Sequence, residues 1–348
     1  MKMRMLFVLS MACVVLGLGV ANAQDGPYQI TKHLPGMTEA VVVHTGAPAG
    51  FDPITAAAEE LHLYGYPRRP DPSNEKAYAS WAKAVACQRI DGELVQNPTR
   101  FHRPVKNLLA TGNVNGTTTD YTSGNWSGYA LYGGTGKFDE VVAFWLVPNV
   151  GSEPGGPDSG AFNGYSSTWV GIDGDGVSDL IQDGTESDWS SNGSTRYDAW
   201  IEMLPASEVV IANFPVQPGD LIYATSTVSV ASGGAVTGEY YLANYNTHLS
   251  VSASIKMPTS VSYHGVSAEW IMERTDVNGT YENPMPHYAY AYLDNAYAYR
   301  QGSSSSISYL SEANQNITMV DPDNRNAVLS DAYEQDGDSL WFQWKAYK

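Results

Sequence analysis

The chain is expected to be all-β, an antiparallel β-sandwich of two large packed sheets, lectin- or concanavalin-like, preceded by a partly helical segment. Composition points there first: only 16% of 348 residues are charged, while Tyr reaches 23 and Gly 33. Aromatic and β-branched residues suit a pleated, half-buried surface. From Asn125 onward, short apolar runs alternate with clusters of Gly, Pro, Asn and Asp, such as 154–157 (PGGP) and 233–234 (GG). Short strands at regular spacing, punctuated by turns, are the signature of a sandwich or barrel.

In chain order, residues 1–23 read as a secretory signal. Lys2 and Arg4 precede an apolar run at 6–20 and the A-x-A site Ala21-Asn22-Ala23. Its removal leaves Cys87 as the sole thiol, so no intramolecular disulfide is available and stability rests on packing. Export places the protein outside the cell, or in the periplasm of a Gram-negative source. Residues 24–107 hold the helix-like sequence, at 55–63 and 74–86, with a proline-rich break at 66–72. Residues 108–124, polar and rich in Gly and Thr, read as a flexible linker. Residues 125–348 form the sandwich, with strands expected at 141–147, 168–172, 199–204, 221–230, 239–245, 249–255, 268–274, 288–293 and 340–347.

Charge divides the chain. Residues 24–107 carry 9 Lys/Arg and 9 Asp/Glu, whereas residues 108–348 carry 8 against 28, a net of −20. That excess argues against nucleic acid and anionic membranes as partners. It suits solubility, and also work in acid, where carboxylates lose their mutual repulsion.

The segment 267–273 (SAEWIME) sets two carboxylates into a strand-like run. Alternation places Glu269, Ile271 and Glu273 on one face. A carboxylate on a packed face is costly unless paired, so this is either an active-site strand or an edge strand with solvated acids. Other runs also set polar residues beside Trp: Trp169 with Asp173, and Trp200 with Glu202, with Gln182 between them in sequence. Together they describe a groove of indoles, carboxylates and one amide. There is no H-E-x-x-H, C-x-x-C or G-x-S-x-G, so zinc and serine-triad chemistry are not expected. The acidic loop 173–179 invites a calcium reading but departs from the EF-hand pattern at Val177 and Gly184; a tight acidic turn is the other reading.

These motifs resemble the glutamic peptidases, or eqolisins. The match covers most of the chain after Asn125. Residues 125–128 (NWSG) are similar to the family's S-N-W-x-G, 169–174 to W-V-G-I-D-G, 180–184 (LIQDG) to I-L-Q-T-G, 197–202 (YDAWIE) to Y-D-A-W-Y-E, and 268–273 (AEWIME) to A-E-x-I-x-E. The resemblance implies a catalytic dyad of Gln182 and Glu273, with Trp126, Trp169, Asp173, Trp200, Glu202 and Glu269 supporting it or lining the groove. It implies protein or peptide substrates and no cofactor or metal; a monomer is expected. Asp183 stands where fungal members have Thr, and the cysteines that some of them pair are absent, as in a bacterial-type branch.

On this reading Glu273 takes a proton from water and returns it to the leaving amine, while Gln182 donates an N–H to the developing oxyanion. A carboxylate titrating near ~4.3 can serve as a base in acid, where His is protonated. The neutral segment 24–107 is then a propeptide, its Arg100, Arg103 and Lys106 facing the acidic groove, released in acid and cut within 108–124; a permanent accessory domain is the other reading. The rival classes are a glycoside hydrolase using Glu202 and Glu273, and a non-catalytic carbohydrate-binding module on a lectin-like sandwich.

Overall fold

Alternation along Ser267–Glu273 sends Trp270 and Met272 into the main core and Ile271 into a separate cluster on the opposite face. Every residue of this strand is buried, because sheet neighbours flank it on both sides and protein covers both faces. The computed structural model describes residues 27–104, 109–133, 136–152, 162–281 and 283–347. The signal and Lys106 lie outside them.

The first sheet runs Thr195–Met203, Leu180–Trp189, Ser167–Asp173, Ser267–Glu273, Trp126–Tyr132, Asn314–Val320, all antiparallel. The second runs Ala291–Arg300, Phe138–Leu146, Leu221–Val230, Val236–Asn244, Leu249–Lys256, again antiparallel. Leu340–Trp344 and Val328–Glu334 join the two along one edge. Between the sheets, Trp145, Ile222 and Ala224 meet Val170, Ile172, Ile181 and Trp270 in one apolar core. This is the expected sandwich. The other face of the first sheet is a bowl holding Trp126, Trp169, Trp200 and Ile271.

Close packing in that bowl depends on Gly184, which lies opposite both Trp169 and Trp200. A Cβ there would sit 2.6 Å from the Thr168 carbonyl oxygen and 2.8 Å from the Trp200 ring. Gly184→Ala is therefore expected to destabilise the fold by about 1–3 kcal/mol through overpacking. A denaturant midpoint unchanged from wild type would contradict this.

The N-terminal segment wraps the sandwich. Gln29–Lys32 and Val41–His44 form a hairpin on the edge of Leu249–Lys256. Helices fall where the sequence places them, at Ala58–Leu63 and Glu75–Val85. The second starts where the Asn74 side chain accepts the Ala77 N–H, and it buries Ala77, Trp81, Ala84 and Val85. The Tyr241 and Tyr245 hydroxyls of the second sheet donate to its carbonyls at Ala84 and Ser80 (3.0 and 2.7 Å). Arg68 pairs with Asp139 and Glu140, and Lys76 with Asp294 and Asp338. The chain then crosses to the bowl through Leu94–Gln96, paired with Val209–Ile211, and Arg100–Phe101, paired with Asp276–Val277.

Residues 109–123 are not the flexible linker expected from their composition: Leu109–Asn115 and Thr118–Ser123 are strands, the second parallel to Asn314–Val320. Thr is as favourable in a strand as in a loop, and an available sheet edge decided between them.

Candidate active site

Register brings the site together. Gln182 lies directly opposite Glu202, and Glu273 opposite Trp126. Gly171, beside Gln182, leaves room for the Trp169 ring, which a Cβ would meet at 2.9 Å. Gln182, Glu202 and Glu273 are all 0% exposed.

What buries them is the N-terminal segment. It lies between two walls: the Asn278 N–H donates to Thr99 O (2.7 Å), and the Glu208 N–H donates to Arg100 O (3.2 Å). His102 sits at the centre, its ring stacked on Trp200 at 3.7 Å between centroids and 4° between planes. Its Nε2 lies 3.1 Å from Glu186 and 3.0 Å from Glu208, and its Nδ1 3.2 Å from Glu273 Oε2. Burial alone would lower the His102 pKa, but the three glutamates raise it well above its ordinary value, so it is an imidazolium donating from both nitrogens.

The main chain is held as closely. Gln182 Nε2 donates to His102 O (2.5 Å) and to Glu202 Oε2 (2.6 Å), and the His102 N–H also reaches Glu202 Oε2 (3.0 Å). Glu273 Oε1 accepts from the Arg103 N–H (3.2 Å) and Asn125 Nδ2 (3.0 Å), while Oε2 accepts from Trp169 Nε1 (2.8 Å) and His102. The His102–Arg103 peptide bond thus has its carbonyl on the amide of Gln182 and its N–H on the carboxylate of Glu273.

Burial raises the Glu273 pKa, opposed by His102, Trp169 and Trp126. Burial also lifts Glu202 and Asp183 well above the carboxylate range; Asp183 accepts the Ser226 hydroxyl (2.7 Å). Glu186 goes the other way: burial pushes it up, but Arg100 (2.8 Å) and His102 bring it down to about 2.

Trp126, Trp169 and Trp200 line the bowl, and Glu202 meets Gln182. Trp126 packs edge-on against Trp169, and Glu202 orients the Gln182 amide. Asp173 and Glu269 do not reach Gln182 or Glu273. Asp173, at φ +73°, accepts the backbone N–H groups of His264, Gly265 and Val266 and so ties two loops together. Glu269 lies one strand repeat beyond Ile271, opposite Gly171 and Ala130, towards Asp173, Asp175 and Asp179. It shares a face with Glu273 but is roughly 13 Å along the strand from it. Asp179 serves the same tie, accepting the His264 N–H and meeting the His264 ring. His102, Glu186 and Glu208 also bring three possible metal-ligand atoms within 4.8 Å.

Sequence reasoning missed His102, Glu186 and Glu208; it placed Arg100 against the acidic domain but not on these partners. Glu208 stands in no motif, and His102 is 106 residues from it. Asn125 was legible only as part of the NWSG block.

The raised acids have a consequence for stability. Burial lifts Asp173 to about 7, and raises Glu202, Glu269 and Asp183 well above their ordinary values. A group whose folded pKa exceeds its unfolded value contributes stability fully below the unfolded pKa, ~4 for a carboxylate, and loses it as pH rises through the folded one. Glu186 has the opposite sign, but its contribution is lost only as pH falls from ~4.5 toward about 2. The thermal midpoint is therefore expected to be higher at pH 5 than at pH 8. A lower midpoint at pH 5 would contradict this.

The Peptidase A4 family model matches residues 124–342, which include Gln182 and Glu273 and leave out the segment lying across them. Aspergillopepsin-2 of Aspergillus niger is 30% identical over 199 residues, 53% of this chain and 67% of that protein. Scytalidopepsin B of Scytalidium lignicola is 33% identical over 149 residues, 43% of this chain; the match spans 51% of that protein's length. The crystal structure of scytalido-glutamic peptidase with a transition state analog inhibitor shares the fold, with a TM-score of 0.51 at 23% identity over 64% of this chain and 98% of the other.

Proposed function

Because this chain belongs to the Peptidase A4 family and is a glutamic endopeptidase, we propose that it hydrolyses peptide bonds of proteins in acid with Gln182 and Glu273 as its dyad. The same proposal has it exported by residues 1–23 and made with residues 24–107 as an inhibitory pro-segment. One observation carries the reading: a peptide bond of the chain itself lies with its carbonyl on Gln182 and its N–H on Glu273.

A substrate bond in that place would be cut as follows. Water held by ionised Glu273 gives up a proton to it and attacks the carbonyl carbon. The oxygen gains negative charge and takes the Gln182 N–H, an amide that does not titrate. The C–N bond breaks, and Glu273 returns the proton to the departing amine. Glu202 keeps the Gln182 amide aimed, while Asn125 and Trp169 fix the Glu273 carboxylate.

In the intact chain, donors from His102 and Arg103 occupy the acceptor positions that water needs. This supports inhibition by the segment. Glu186 keeps its charge down to about 2, so its contacts to Arg100 and His102 persist into acid.

The test is digestion of denatured protein at acid pH by the full chain and by Gln182→Ala, Glu273→Gln and Glu202→Gln, with a polysaccharide substrate in parallel. Proteolysis abolished in the first two variants is expected. Polysaccharide cleavage that needs Glu202 and Glu273 but not Gln182 would favour the glycosidase and overturn the reading.

A further inference from the structure

A cavity of about 480 Å³ lies on the outer face of the second sheet, roofed by residues 58–72 of the N-terminal segment. The catalytic bowl belongs to the other sheet and contributes nothing to it. Register builds the floor. Glu140, Thr227 and Glu239 stand opposite one another on three adjacent strands, facing away from the core that takes Val141 and Val228. Leu61, Tyr66, Pro67 and Pro70 supply apolar walls.

The floor holds an acid short of partners. Glu140 is 1% exposed, and neither of its oxygens accepts an aligned hydrogen bond. Its one nearby cation, Arg68, lies 3.2 Å from Oε2 and is shared: it also donates to Asp139 Oδ2 and to Ser303 O (3.0 Å each). The other basic groups on the lining are committed elsewhere. Arg69 donates to Pro53 O and Ala56 O, and His62 pairs with Glu239 at 3.1 Å. Burial and Arg89 push His44 down to about 4, so it is neutral at pH 7. Around Glu140 there are thus two further carboxylates, Asp139 and Glu239, and a guanidinium divided between acids. A buried carboxyl in that setting calls for one more cation.

We propose that the cavity is a binding site for a small organic amine, held as its ammonium ion on Glu140 with its carbon body against the apolar walls, and that the occupant locks residues 58–72 onto the second sheet. The lock follows from linkage. Roof and floor come from different parts of the chain, so a ligand that needs both favours the form in which they are together. Binding asks nothing of Gln182 or Glu273; its effect on activation rests on reading residues 24–107 as a pro-segment.

The proton balance gives a signature. Burial lifts Glu140 to about 8, Asp139 and Glu239 adding to the rise and Arg68 opposing it. The Tyr223 and Tyr299 hydroxyls beside it are also raised by burial and stay neutral. At pH 7 Glu140 is therefore mostly protonated, and the arriving ammonium ion sends that proton to the buffer.

The experiment is calorimetry on the full chain at pH 7 with three compounds of one shape: cyclohexylamine, cyclohexanol and cyclohexanecarboxylate. One saturable site for the amine is expected, with the other two at least about tenfold weaker, the value of one charge-assisted hydrogen bond. The amine's heat should differ between phosphate and Tris, which take up the released proton with different enthalpies. Glu140→Gln removes the charge, and Thr227→Phe fills the cavity from its floor; each should weaken the amine at least about tenfold. No saturable site, equal affinity for the three compounds, or an affinity unchanged in both variants overturns the proposal. In acid, with amine added to saturation, release of active enzyme should slow in wild type and not in Glu140→Gln. Saturable binding that leaves this release unchanged counts against the lock and the pro-segment reading, and leaves the amine site standing.

Discussion

Glu273→Gln is expected to lower kcat/KM on a protein substrate by about 10²–10⁴, the usual worth of a positioned general base. The amide is close in shape to the carboxylate, and its one oxygen still accepts from Asn125 Nδ2 or from Trp169 Nε1, which bind different oxygens of the acid. It cannot take a proton from water. Gln182→Ala is expected to cost about 10²–10³ in kcat, with a smaller change in KM, because the amide serves an oxyanion that exists only beyond the ground state. Both variants keep their backbone pairings in the first sheet, so melting midpoints near wild type should accompany the loss. A loss of rate that tracks a loss of fold would point to structural roles instead.

The second large effect concerns the segment. His102→Ala removes the cation from among Glu186, Glu208 and Glu273, all of them buried. Removing one partner of a buried ion pair costs about 3–5 kcal/mol, mostly from the charge left behind. Arg100 remains to neutralise Glu186 and Asp188 but lies 4.0 Å from Glu208. The segment should therefore open more readily at neutral pH. Trypsin, which cuts after Arg, reads this directly: Arg100 is buried in the intact chain. Rapid cutting at Arg100 in His102→Ala, against slow cutting in wild type, is the expected result. Equal protection of both chains would show that backbone pairing alone holds the segment.

Much of this site was legible because strand period and register are local properties. The run at 221–230 was expected as a strand and is one at Leu221–Val230. Alternation along 267–273 placed Glu269 and Glu273 on one face, and the register there runs unbroken, without the bulge that might have parted them. Distance along the strand parts them instead. Leu180–Trp189 was harder to see: polar residues break the apolar pattern on both faces, Gln182, Glu186 and Asp188 meeting the segment over the bowl and Asp183 and Thr185 meeting Ser226 and Trp145 between the sheets. Glu208 and His102 were invisible for another reason. Nothing near either residue announces a meeting across 106 positions, and the His102 environment exists only where Arg100–Phe101 pairs with Asp276–Val277. Charge gave a partial signal. The Arg100 and Arg103 contacts to Glu186, Asp188 and Asp276 realise the complementarity between a neutral N-terminal segment and an acidic domain.

The central claim, that Gln182 and Glu273 act as one unit on one peptide bond, is tested most directly by kcat/KM for Gln182→Ala, Glu273→Gln and the double variant on a single peptide at acid pH. Groups that serve the same transition state are strongly non-additive. The expected result is a double variant little worse than the more damaged single one. Losses that simply multiply, or a Glu273→Gln enzyme with wild-type rates, would contradict the account.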